Sequence, residues 1–240
     1  MISHFLKLEW KQFFRSASFG KNVGLKILMG FFAIWMLLGF LSLGVGTYFF
    51  LKEQYPAKDP FIVANKFVVF LLVFDLIIRY LMQKIPVMDI KPMLILPIKK
   101  NKLVNYILTK SVFSFFNFSF LILYIPFAIV LISKGYNYIG VLAWTFFMLA
   151  LTICINFINF LINKNNIALG FLVLFLGSLW LSFKYQIFDM TNVFGKVFYL
   201  VYENPLLSFI GLFLVALFYY LNFSINKFIL IYFLYFFIYI

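Results

Sequence analysis

Residues 27–51, 111–133 and 138–162 each run the thickness of a membrane without one charged side chain. A helix needs about 20 apolar residues to cross a hydrocarbon core roughly 30 Å thick. A chain carrying several such runs must place them in lipid or in a very large interior. This chain has 240 residues, 65% of them hydrophobic and 11% charged. Soluble domains are roughly 45–50% apolar and about 25% charged, so a soluble fold of this length could not hide so much apolar surface. Transmembrane barrel strands alternate apolar and polar residues. These runs are apolar on every side, which argues for helices.

The sequence therefore predicts an all-α polytopic bundle of six transmembrane helices, at about 27–51, 61–82, 111–133, 138–162, 167–183 and 205–221. A loop at 84–110 joins the second and third. Before the first span, residues 1–26 place Leu6, Trp10, Phe13, Phe14 and Ala17 on one helical face and Lys7, Lys11, Arg15 and Ser18 on the other. That pattern predicts an amphipathic helix lying in the membrane interface. It is either a plain anchor or a lever that passes motion to the first span. No uncharged signal-peptide core lies within these residues. After 221 comes a segment, 222–240, that ends in thirteen apolar residues, too few to span alone. It is expected to extend the sixth helix, lie in the interface, or belong to a longer protein cut at this point.

The net charge is +13. The lysines flank spans rather than forming a basic soluble domain, so anionic lipid accounts for them and nucleic acid is not an expected partner. Thirteen Lys/Arg fall on the side of residues 1–26 and 84–110, and six on the other, with Arg79 inside a span. The positive-inside rule then places both ends in the cytoplasm of a multi-pass cell-membrane protein. With one cysteine (Cys154) and one histidine (His4), the chain can form no internal disulfide and offers no zinc ligand set. It contains no GxxxxGK[ST], HExxH or GxSxG. No cofactor, metal or catalytic residue is expected, and any ATP hydrolysis would need a partner subunit.

Two groups of polar residues stand out inside the spans. Asp75 and Arg79 are four residues apart, acid first, the favourable order for a helical ion pair. An isolated charge at that depth costs at least about 2.5–3.5 kcal/mol, so pairing is expected. Arg79 is close enough to the span's end to snorkel. The pair either fixes helix rotation or forms a gate at the inner mouth. Asn117, Asn156 and Asn159 are amides within the predicted spans; they serve interhelical packing or line a path. Gly39, Ser42, Gly44 and Gly46 would let another helix approach the first span closely.

The loop carries the densest charge. Pro86, Pro92 and Pro97 interrupt it, and Pro97 suits the first turn of a new helix. Helical spacing then aligns Leu103, Val104, Ile107 and Leu108, with Lys99, Lys100 and Lys102 near the start of that helix. Cations there oppose the helix dipole, so their partner must lie outside the helix: anionic lipid, as topology signals alone require, or an acidic protein surface. Leu96, Pro97 and Ile98, then Lys99, Lys100 and Lys102, then Leu103 and an amphipathic helix leading into the third span resemble the permease subunits of type-2 ABC exporters. More closely, the pattern resembles an uncharacterised bacterial membrane family of that kind whose members are longer. The polar-apolar stretch 185–204 is similar to the short re-entrant outer helices of such permeases.

The resemblance implies a membrane subunit that forms a substrate path as a homo- or heterodimer. A separate ABC ATPase would dock on residues 96–103 and drive the helix at 97–108. The alternatives are a non-transporting assembly factor or scaffold, and a secondary transporter, which would usually show inverted repeats and more intramembrane ionisable groups. Substrate is not legible; the phenylalanine-rich spans fit a lipid-like cargo and lipid-facing helices equally.

Overall fold

The structure, a computed structural model, describes residues 23–83, 99–163, 166–185 and 189–238. The N-terminal segment at 1–22 and the first half of the loop, with Leu96, Pro97 and Ile98, lie outside the described residues. Every element among the described residues is helical: α1 (Val23–Gln54), α2 (Pro60–Met82), α3 (Lys100–Val112), α4 (Phe115–Ser133), α5 (Tyr138–Ile162), α6 (Asn166–Lys184), α7 (Met190–Glu203) and α8 (Ser208–Ile238), with a 3-10 turn at Pro205–Leu207.

Five stretches are long and apolar enough to cross a membrane: Gly30–Gln54, Pro60–Met82, Asn101–Ser133, Tyr138–Ile162 and Pro205–Ile225. The third is not the single helix at 111–133 that the sequence predicts. It is α3 followed by α4, broken at Phe113–Ser114. Asn117 holds that break: its side-chain amide donates to the carbonyl of Val112 (2.7 Å) and to that of Ser111 (3.4 Å), which also accepts from the Ser114 backbone N–H. α8 runs unbroken to Ile238, so the apolar tail continues the sixth predicted helix.

α5 is the centre, with most of its span buried, and α1 is peripheral, with little of its span covered. α1 lies on α4 and α2, while α8 and α4 flank α5. Two tight turns, α1–α2 and α4–α5, share one end of the bundle, here called the turn face. Asp59 caps α2 there, accepting from the Phe61 backbone N–H at 2.7 Å, and Pro60 takes the first helical position. Gly135 supplies the positive φ (91°) of the α4–α5 turn. α7 crosses this face over the starts of α2 and α5, and Gly140 lets the Tyr202 backbone and ring press directly on α5.

Aromatic rings seal that junction. Phe61 is fully buried, with the rings of Tyr202 (5.1 Å), Trp144 (5.3 Å), Tyr136 (5.6 Å), Tyr199 (5.8 Å) and Phe127 (6.2 Å) around it. Such pairs add about 0.5–1.5 kcal/mol beyond area burial. Two of their polar atoms are satisfied locally: Trp144 Nε1 donates to Asn65 Oδ1 at 2.8 Å, and the Tyr136 hydroxyl to Asp59 Oδ1 at 2.6 Å. Burial, and then the Asp59 carboxylate, raise the Tyr136 pKa above the ordinary tyrosine value, so this hydroxyl stays a donor.

On α1, Gly44 is the glycine that permits close approach. A Cβ there would lie 2.5 Å from the Leu123 carbonyl oxygen and 3.3 Å from Pro126 Cβ, whereas one at Gly39 or Gly46 meets nothing within 4 Å. Pro126 sits inside a continuous α4, and α1 packs beside it.

Candidate functional site

The second polar district lies at the opposite end of the bundle, here the basic face. Asp75, Arg79 and Gln83 recur every fourth residue and so form one stripe down α2. Asn156, Asn159 and Asn163 form a matching stripe on α5. The structure joins the two. Arg79 Nε donates to Asp75 Oδ1 at 2.7 Å, with both side chains almost wholly buried. Gln83 Nε2 donates to Asn156 Oδ1 at 2.6 Å, and Asn159 Nδ2 to Gln83 Oε1 at 3.2 Å. Asn159 also reaches the Arg79 carbonyl at 3.4 Å, and Asn163 donates to Asn159 Oδ1 at 2.8 Å.

Arg79 does not snorkel. Its Nε is committed to Asp75 within the helix, and its guanidinium lies 5.6 Å from the Phe116 ring centroid on α4, so the charge stays inside the bundle. Among the described residues, Asp75 Oδ2 and the two terminal nitrogens of Arg79 have no hydrogen-bond partner. A buried charge pair left partly unsatisfied is costly.

α3 ties into this stripe from the side. Asn156 Nδ2 donates to Ser111 Oγ at 3.0 Å, and Ser111 in turn donates to the Leu108 carbonyl at 2.7 Å. Leu103, Val104, Ile107 and Leu108 are buried, as their spacing requires; Val104 and Leu108 pack with Phe157 and Phe160 of α5. Asn105 accepts from the Tyr219 hydroxyl of α8 at 2.9 Å. The first turn of α3 has the opposite character. Lys99 occupies the N-cap position with no side-chain cap hydrogen bond, no acidic residue lies in the first turn, and Lys99 and Lys102 are exposed.

Of the residues singled out in the sequence, Asp75, Arg79, Asn156 and Asn159 come together in one network. Lys99, Lys102 and Leu103 belong to a helix bonded to that network. Asn117 stands apart, holding the α3–α4 break. Sequence reasoning missed Gln83, Asn163 and Ser111. The signal for the first two was present: each extends a stripe already noted by four residues. Asn65 and Asn222 were missed too. Both are fully buried; Asn65 serves Trp144, and the Asn222 amide donates to the Phe157 carbonyl at 2.9 Å.

Among the described residues no three His, Cys, Asp or Glu side chains come together as a metal site would require. The chain belongs to the family DUF5687, a family of unknown function, whose model matches residues 9–234. No curated protein matches the chain, and no solved structure does.

Proposed function

We propose that this chain is the membrane-spanning subunit of an ATP-driven exporter, with α3 as the helix on which a separate ATPase acts. In this account the basic face is cytoplasmic, α6 is a sixth span, and two such subunits enclose the path. The observation that carries it is the division of α3. One face is locked into the bundle, while an uncapped N-terminus presents exposed Lys99 and Lys102. Lysines there oppose the helix dipole by roughly 0.3–1 kcal/mol each. An acidic surface outside the chain offsets that cost.

The hydrogen-bond chain supplies the coupling. A push on the start of α3 moves a stiff thirteen-residue helix. Ser111 at its far end bonds Asn156, Asn156 bonds Gln83, and Gln83 is on the same α2 stripe as the Asp75–Arg79 pair. Displacement of α3 is thereby felt where α2 is locked to α5. The proposal needs no bond chemistry in this subunit.

The test is a detergent pull-down of the tagged chain with its neighbouring cytosolic proteins. A parallel variant carries Lys99→Glu, Lys100→Glu and Lys102→Glu. The expected result is an ATPase that copurifies with the wild type and is lost from the triple variant. Asn156→Ala should keep the ATPase bound but uncouple its stimulation by the membrane subunit. If no ATPase copurifies with either chain, the lysines act as topology signals and a non-transporting scaffold is the better account.

A further inference from the structure

The third span is broken, and the two ends at the break are treated differently. At the end of α3 the carbonyls are answered: the Asn117 amide donates to Val112 and Ser111, and Lys110 lies in the last turn. The start of α4 has no such partner among the described residues. Ser114 holds the N-cap position, its side chain makes no cap hydrogen bond, and the first turn carries no acid. The open N–H groups of a helix start, and the positive end of its dipole, favour an anion. Ser114 Oγ and Asn117 Oδ1 are buried there and also lack hydrogen-bond partners among the described residues.

A second observation, on a different helix, points to the same place. Arg79 is fully buried, and its guanidinium lies 5.6 Å from the ring centroid of Phe116, the second residue of α4. Side chains on a helix lean toward its N-terminus, so the guanidinium beside that ring is at the first turn of α4. Asp75 engages Nε. The far fork, with the four N–H donors of Nη1 and Nη2, has no hydrogen-bond partner among the described residues. Such a fork matches two oxygens of a carboxylate or phosphate. Asp75 offsets the charge of Arg79 from the Nε side, while the helix start adds roughly half a positive charge.

Depth selects between the two anions. α4 runs 19 residues from Phe115 to Ser133, about 28 Å at 1.5 Å per residue, against a hydrocarbon core of roughly 30 Å. Ser133 ends at the turn face, so the break is at the opposite edge of the core. That is the depth of lipid phosphates and within reach of aqueous ones. Phe113 and Phe115, both exposed, flank the break.

We infer that the α3–α4 break binds a phosphate group, held by the Arg79 fork, the Ser114 hydroxyl and the first N–H groups of α4. The group belongs to a lipid headgroup or to a phosphate from the aqueous side. Arg79 is enclosed in this structure, so the phosphate enters as Phe116 swings off the guanidinium. The inference goes beyond the exporter proposal and does not depend on it, since a scaffold with the same break would bind phosphate equally.

The test measures the unfolding temperature of the delipidated full-length chain in dodecyl maltoside, in two arms. In one, inorganic phosphate replaces chloride at constant ionic strength. In the other, phosphatidylglycerol or its uncharged counterpart diacylglycerol is added to the micelles. The expected result is a rise of roughly 3–6 °C at a tenfold excess over the Kd. A rise with inorganic phosphate identifies the aqueous source, and a rise with phosphatidylglycerol alone identifies the headgroup. Ser114→Asp places a carboxylate at the N-cap and should abolish the rise. So should Asp75→Leu combined with Arg79→Met, which removes both buried charges together and leaves neither unpaired. Circular dichroism shows that each variant is folded. No rise in either arm, a rise as large with diacylglycerol, or a rise that persists in either variant would overturn the inference.

Discussion

α2 is held at its two ends by different chemistries. At the turn face Phe61 is surrounded by five aromatic rings; Trp144 donates to Asn65, and Asp59 Oδ1 accepts from both the Phe61 N–H and the Tyr136 hydroxyl. At the basic face Asp75, Arg79 and Gln83 meet three asparagines of α5 and Ser111. The first arrangement is dispersion and shape. It tolerates no second geometry, because close-packed rings forfeit contact energy over fractions of an ångström. The second is made of amides, which donate and accept at once and can exchange partners. Among the described residues, the second leaves charged atoms without hydrogen-bond partners. One end of the bundle is thus built as an anchor and the other as a joint, and α3 enters at the joint.

The largest effect should follow from breaking the ion pair. Asp75→Ala leaves Arg79 charged and fully buried without its partner, an arrangement that costs about 3–5 kcal/mol. Thermal unfolding in detergent should show that loss. The double variant Asp75→Leu with Arg79→Met removes both charges and should recover most of it. If the double variant is as unstable as the single one, packing rather than charge is what the pair provides.

A middle-sized effect is expected at the anchor. Tyr136→Phe removes the hydroxyl that donates to Asp59 but keeps the ring against Phe61, and should cost about 1 kcal/mol. The effect also carries a pH signature. The folded pKa of Tyr136 is raised by burial and by Asp59, so its contribution is fully present below the ordinary tyrosine pKa and is lost as pH rises through the folded value. Alkaline destabilisation should therefore be shallower in Tyr136→Phe than in wild type. Parallel curves would show that this tyrosine is not a source of the alkaline slope.

How much of this was legible in the sequence differs between the two ends. Local periodicity gave the spans at 61–82 and 138–162 nearly to the residue, because each is one apolar run between turns. It also gave the Asp75–Arg79 spacing and the buried face of α3. It could not give the break at Phe113–Ser114, where no glycine or proline marks the chain and the interruption is held by Asn117 from the next helix. Nor could it show Arg79 buried, since snorkelling and an intrahelical ion pair begin from the same four-residue spacing; the position of Phe116 decides between them. The Asn65–Trp144 bond joins residues far apart in the chain, which no periodicity encodes. The amphipathic segment at 1–22 falls outside the described residues.

The smallest effect should come from Asp189, which has the same charge as Asp75 in the opposite setting. Asp189 is exposed and caps α7, accepting from the Thr191 hydroxyl at 2.8 Å, from the Asn192 backbone N–H at 3.1 Å and from the Asn192 side chain. These hydrogen bonds, that of Thr191 foremost, hold its pKa below the ordinary aspartate value. A depressed pKa gives stability that is present above the unfolded value and disappears as pH falls through the folded one. Asp189→Ala should therefore destabilise slightly at neutral pH, and the difference from wild type should close in acid. Water can replace an exposed cap's partners but cannot reach a buried guanidinium, so Asp75→Ala must be the more damaging of the two. Side-by-side melting curves of the two variants at neutral pH decide the point. Equal losses would mean that the pair on α2 is no lock, and that the anchor at the turn face holds α2 by itself.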